Sequence, residues 1–128
     1  MAESRISAAE AFALMRDEGY MYLDVRTPEE FAIGHPTGSV NIPWEVEGDG
    51  GRVVNPDFLG DVKKQFATVA KVIVGCNTAN RSKLAAAAMR EAGYRDVREQ
   101  RGGMAGVRDA FGGEVEPGWE PSGLPVSR

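Results

Sequence analysis

The sequence is poor in residues that build covalent or metal-braced frameworks: among 128 residues there is one cysteine, Cys76, and one histidine, His35. A lone cysteine closes no internal disulfide, and one thiol with one imidazole falls short of the usual ligand set of a structural zinc site. No metal is expected, and any cysteine chemistry must run on a single thiol. Long apolar runs are missing too. The longest candidates, Val72-Ile73-Val74 and the alanines at 85 to 88, are far shorter than the roughly 20 residues that cross a bilayer, so no membrane partner is expected. Basic residues number 15 against 19 acidic, for a formal charge of −4, and are dispersed, which argues against a nucleic-acid partner. Met1-Ala2-Glu3-Ser4 carries an acid where a secretory leader would have a basic end and an apolar stretch, so the expected location is the cytoplasm or an organelle interior, a reducing compartment.

What is present is the composition of a globular protein, 42% hydrophobic and 27% charged, enough for a real core. The length suits a single domain over residues 1–128, with the Pro/Gly-rich stretch 112–128 as an extended tail that Trp119 packs down.

Capping signals divide the chain into alternating pieces. Ser7-Ala8-Ala9-Glu10 has the form of a capping box, and Ala8, Ala11, Phe12 and Met15 then follow helical spacing until Gly19. Tyr20 to Val25 reads as a strand covered on both faces. Thr27-Pro28-Glu29-Glu30 combines a hydroxyl cap, a first-turn proline and a returning glutamate, predicting a short helix that ends near Gly34. Val40 to Pro43 reads as a brief strand and Glu45 to Gly51 as a surface loop. Asn55-Pro56 signals another helix, with Phe58, Val62 and Phe66 on one stripe. Lys71 to Gly75 is a strand, Arg81 to Gly93 a helix, Asp96 to Glu99 a short strand, and Gly102-Gly103 opens a last helix carrying Val107, Ala110 and Phe111. Strands alternating with helices predict an α/β fold, a small parallel sheet with helices on both faces.

The informative stretch is Val72 to Ser82, where a buried strand ends at Cys76 and a helix begins about five residues later. Ligands of open parallel sheets bind at the carboxyl ends of the strands. The small and polar residues between can turn their backbone N–H groups inward, and the helix start adds partial positive charge, so an anion is the natural guest. A free thiol is only about 3% ionised at pH 7, and two units of acidification require about 2.7 kcal/mol. Several amides, a helix end and Arg81 acting together are of that size, so the loop is expected to favour the Cys76 thiolate. Arg81 offers a planar fork to an oxyanion, and Lys83 a second positive charge near the rim.

Here the sequence resembles a known family. Cys76-Asn77-Thr78-Ala79-Asn80-Arg81-Ser82 is similar to the rhodanese active-site loop, commonly C-x-x-G-x-R-S. Asp24-Val25-Arg26 through Glu30-Phe31, with Gly34-His35-Pro36-Thr37-Gly38-Ser39-Val40-Asn41-Ile42-Pro43, resembles the family's D-V-R-x-x-x-E-[FY]-x-x-G-H-I-x-G-A-x-N-I-P. Gly102-Gly103-Met104 and Gly123-Leu124-Pro125-Val126 are similar to its closing segments. The resemblance implies a rhodanese-like fold and a thiosulfate:cyanide-type sulfurtransferase needing no cofactor. A persulfide on Cys76 would carry sulfur from a small anionic donor to a thiophilic acceptor, cyanide or a thiol, a protein thiol included. Cys76 and Arg81 would be catalytic, with Asn77, Thr78, Ala79, Asn80, Ser82 and Lys83 binding substrate. The four residues between Cys76 and Arg81 resemble sulfur-handling members; related phosphatases and arsenate reductases typically have one more.

Ala79 stands where the family often has glycine, and a positive φ there would strain an alanine. The alternatives to the enzyme are a non-catalytic rhodanese-like binding or regulatory module and, behind it, an arsenate reductase or phosphatase. Other polar residues have structural readings: His35 as a hydrogen-bonding residue rather than a base, and Asp24, Arg26 and Glu30 as one ion-pair network tying the strand end to the next helix. Ser82 and Thr78 are candidate donors to bound sulfur, with helix capping the alternative for Ser82, and Gly102-Gly103 suit either close backbone approach or a plain helix start.

Overall fold

The computed structural model describes residues 4–128; Met1 to Glu3, the start of the segment read for a leader, lie outside it. Five strands form a parallel sheet: β1 (Arg5–Ile6), β2 (Met21–Asp24), β4 (Val40–Asn41), β7 (Lys71–Gly75) and β8 (Asp96–Gln100), in the order β1-β8-β7-β2-β4. The four helices among the described residues are α1 (Ala8–Glu18), α2 (Pro28–Ile33), α3 (Phe58–Gln65) and α4 (Asn80–Glu91). The fold is mixed α/β.

The helix starts follow their local signals. Ser7 and Thr27 each close a capping box, with Glu10 and Glu30 respectively, and Gly19 ends α1 in the left-handed conformation. Alternate side chains of the central strands point to opposite faces, which sorts the core into two. Leu23, Val72 and Val74 meet Phe58 and Val62 of α3 and Ala85, Ala86 and Met89 of α4. Tyr22 and Ile73 meet Ala8 and Ala11 of α1 together with Met104 and Trp119. Helices therefore cover both faces, and the buried central strand β7 delivers Cys76 to the sheet's carboxyl edge.

Two segments differ from expectation. Residues 45–51 are not a loop: β5 (Glu45–Gly48) and β6 (Gly51–Val54) pair as an antiparallel hairpin in the register Glu45↔Val54, Val46↔Val53 and Glu47↔Arg52. Asp49-Gly50 supplies the tight turn, and the glycines and charged residues between Val46 and Val53 leave no clear apolar alternation in the sequence. The segment after Gly102-Gly103 forms no helix. It is a series of turns leading to β9 (Val107–Arg108), which pairs with β10 (Glu114–Glu116). Gly103 and Gly106 have φ of +64° and +94°, outside the helical region, and the N–H groups of Met104 and Ala105 are spent on Cys76 O and Asn77 O.

The carboxy-terminal stretch carries β10 and β11 (Val126–Ser127), the latter paired with β3 (His35–Pro36). Trp119 is fully buried, edge-on to Phe12 and Tyr22, and donates its indole N–H to Pro125 O at 2.8 Å.

Candidate functional site

Strand β7 ends in Gly75, where any side chain would collide with the Tyr22 hydroxyl. That hydroxyl is tied to Gln100 Oε1 at 2.6 Å, so the backbone just before Cys76 is seated tightly on its neighbours. Cys76 follows, 2% exposed, at the head of the turn 77–79 that leads into α4. One backbone amide, that of Ala79, donates to Sγ at 3.1 Å, and the Ser82 hydroxyl lies 3.3 Å from the sulfur. Ser82, fully buried on the first turn of α4, is also 3.2 Å from Ala79 O and 3.2 Å from Glu99 Oε2.

Ala79 adopts φ 95°, ψ −14°, the sole non-glycine residue with positive φ among those described. This is the geometry that turns its N–H onto the sulfur, and it costs an alanine about 1 kcal/mol.

Arg81 reaches away from the loop to α2, where its guanidinium donates to both oxygens of Glu30, at 2.7 and 3.0 Å. Facing this fork, Glu30 titrates at about 2, far below its usual 4.5, chiefly because of those hydrogen bonds, and the Arg81 pKa is raised in return. Glu30 is thus part of the loop's surroundings and not of the Asp24–Arg26 pair, a correction to the expected three-member network. Asp24 and Arg26 form their own buried pair at 2.7 Å, and Arg26 continues to Gly34 O at 2.6 Å. His35 bonds Phe31 O at 2.8 Å and stacks on the Phe31 ring at 3.7 Å.

Of the residues assigned to substrate, Ala79 and Ser82 contact the sulfur. Asn77 is half-buried and lines a cleft of about 200 Å³ with Arg26, Gly34 and Met104. Thr78 and Asn80 are exposed and line a hollow on the side of Gly106 and Arg108. Lys83 is exposed, and it is its backbone N–H that joins the loop, donated to Ala79 O at 3.3 Å.

Sequence reasoning missed the brace behind the loop. Met104 N donates to Cys76 O at 2.8 Å and Ala105 N to Asn77 O at 3.0 Å, with Trp119 N on Gly103 O at 2.8 Å behind them. A Cβ at Gly103 would lie 2.5 Å from Asn77 O and 2.6 Å from Cys76 O, so the Gly-Gly pair serves close approach. The sequence signal for it is the pair itself, which suits close approach and a helix start alike.

A sulfur at a strand end, facing an inward amide on a short loop that starts a helix, defines a cysteine-centred α/β site. The rhodanese-like domain model matches residues 7–110, and the chain belongs to that family. It is 37% identical over 127 residues to thiosulfate sulfurtransferase 16, chloroplastic, from Arabidopsis thaliana, covering 97% of this chain and 96% of that one. It is 39% identical over 108 residues to the senescence-associated protein DIN1 of Raphanus sativus, covering 84% of this chain but only 52% of that longer protein. Among solved structures, Rv0390 from M. tuberculosis superposes with a TM-score of 0.78 at 27% identity, covering 96% of each chain.

Proposed function

We propose that this protein is a thiosulfate:cyanide-type sulfurtransferase working through a persulfide on Cys76. The thiolate attacks the outer sulfur of thiosulfate, the donor's S–S bond breaks, and sulfite departs with the bonding pair. Cyanide or a thiol, on a small molecule or a protein, then attacks the terminal sulfur of Cys76–S–S⁻, and the thiolate is released for the next cycle.

The observation that carries this reading is the Ala79 N–H held 3.1 Å from Sγ on a short loop, a donor already in place for anionic sulfur. Arg81, paired with Glu30 in the resting protein, turns from that carboxylate to supply charge for the departing sulfite, with Asn77, Thr78, Asn80 and Ser82 shaping the donor's seat and Lys83 adding positive charge at the rim. The name of the 37%-identical relative, a thiosulfate sulfurtransferase, supports the same assignment. Its chloroplastic designation favours an organelle interior as the working compartment. Mass spectrometry after thiosulfate exposure is expected to show Cys76 gaining one sulfur atom, and Cys76→Ala neither gaining it nor turning over. A parent protein unmodified by several sulfane donors would overturn the proposal.

A second reading, a binding module without turnover, draws on the strained Ala79 and the near-complete burial of the thiol. Partner capture that survives Cys76→Ser, with no persulfide formed on the parent, would favour it.

A further inference from the structure

From the sulfur a line of hydrogen bonds runs across the sheet toward its β1 edge. Ser82 Oγ lies 3.3 Å from Cys76 Sγ and 3.2 Å from Glu99 Oε2, and Arg5 Nε donates to Glu99 Oε1 at 3.0 Å. Ser82 and Glu99 are buried; the Arg5 side chain is 52% exposed and stands beside Glu99 in the β1–β8 register.

A hydroxyl has one hydrogen and here three acceptors compete for it: Ala79 O, Glu99 Oε2 and, once ionised, the sulfur. With Cys76 as a thiol the line is satisfied in one direction, S–H donating to Ser82 Oγ and Ser82 donating to Glu99 or Ala79 O. With Cys76 as a thiolate the sulfur must win the Ser82 proton, and turning the hydroxyl toward it withdraws that donor from the other two acceptors. A buried carboxylate also repels a second anion nearby, and Arg5 offsets part of that charge.

We propose that Glu99 is a positioning residue for Cys76, holding the Ser82 hydroxyl and so setting how readily the sulfur becomes a thiolate; its catalytic consequence rests on Cys76 being the sulfur-carrying nucleophile. The other charged or titratable groups around the sulfur are committed elsewhere. From α4, Arg81 is paired with Glu30 of α2; from β2, the Tyr22 hydroxyl is bonded to Gln100 and Asp24 is closed on Arg26. Burial raises the Tyr22 pKa well above its ordinary range, which keeps that ring neutral. Glu99 is therefore the carboxylate whose bond ends one hydroxyl away from the sulfur.

The test is the pH dependence of iodoacetamide alkylation on the full chain, where Cys76 is the only thiol. Burial of the sulfur scales the plateau rate, while its ionisation sets the midpoint. Glu99→Gln is expected to move the midpoint about one unit toward acid relative to the parent. Arg5→Gln, at a half-exposed position, is expected to move it the other way. In a Ser82→Ala background the Glu99→Gln shift shrinks. A midpoint unmoved by Glu99→Gln, or moved toward base, overturns the proposal; if that variant does not fold, an Arg5→Gln midpoint that stays in place overturns it equally. Alkylation needs no sulfur transfer, so the two readings fail separately. Shifted midpoints in a protein that never forms a persulfide would retain the positioning role and discard the enzyme, and normal sulfur loading with fixed midpoints would do the reverse.

Discussion

Arg81 and Glu30 face each other as a two-pronged pair, 2.7 and 3.0 Å between nitrogens and oxygens, linking the first turn of α4 to α2. The loop's cation is thereby held by a carboxylate 51 residues earlier in the chain. The orientation of Arg81 depends on whether α2 is in place.

The pair has a pH signature. Glu30 is depressed from its ordinary 4.5 to about 2, so its stabilisation is fully present above pH 4.5 and is lost as pH falls toward 2. Solvent reaches both side chains, which reduces the contribution to about 1 kcal/mol. The melting temperature of the parent should fall across that window more than that of Glu30→Gln. Parallel curves for the two proteins would show that the pair adds nothing to stability.

Arg81→Ala should cost far more activity than stability. In the proposed mechanism Arg81 leaves Glu30 to meet the departing sulfite, and removing a charged donor of that kind typically lowers kcat/KM about 100-fold. The orphaned Glu30 is partly exposed and remains hydrated, so unfolding should change by about 1 kcal/mol or less. Thiosulfate kinetics beside denaturant titration decide this, and an unchanged kcat/KM would remove Arg81 from the proposed mechanism.

Ala79→Gly should relieve the positive φ. With the native backbone retained, stability is expected to rise by about 1 kcal/mol, or roughly 3–5 °C in melting temperature. A lower melting temperature would mean that the gain in unfolded-chain entropy from glycine outweighs the strain.

Gly103→Ala tests the brace. The new methyl would crowd Asn77 O and Cys76 O at a backbone position with φ +64°, so a loss of about 2 kcal/mol or more is expected, with slowed sulfur loading of Cys76. Gly112→Ala, also at positive φ but with open space around it, is the control for strain alone. Equal losses in the two variants would show that contact with the loop is unimportant.

Trp119→Ala removes the largest fully buried side chain and should destabilise by about 3–5 kcal/mol, measured by denaturant unfolding. A change below 1 kcal/mol would mean the carboxy-terminal stretch packs without supporting the sheet.

Reading from the sequence worked best where the interaction was local. Ser7 with Glu10 and Thr27 with Glu30 are reciprocal bonds across three residues, and Val72-Ile73-Val74 is a short β-branched run closed by Gly75; each is legible because its signal lies within one turn or one strand. It failed at the hairpin 45–54 and at the segment after Gly102, where pairing partners and a neighbouring loop's carbonyls decide the backbone. Glu30 shows both behaviours. Its capping role follows from spacing, while its grip on Arg81 depends on folding that brings α2 to the start of α4.

The order of residues alone determined that one thiol ends a buried strand, that a short loop with an arginine follows it, and that the sheet is parallel, because periodicity and capping are properties of adjacent residues. Tertiary structure decided that Ala79 takes the left-handed turn, that Glu30 holds Arg81, that Glu99 reaches Ser82, and that Met104 and Ala105 brace the loop from behind. Those contacts join positions far apart in the chain, and their hydrogen bonds exist only once packing has brought the elements together.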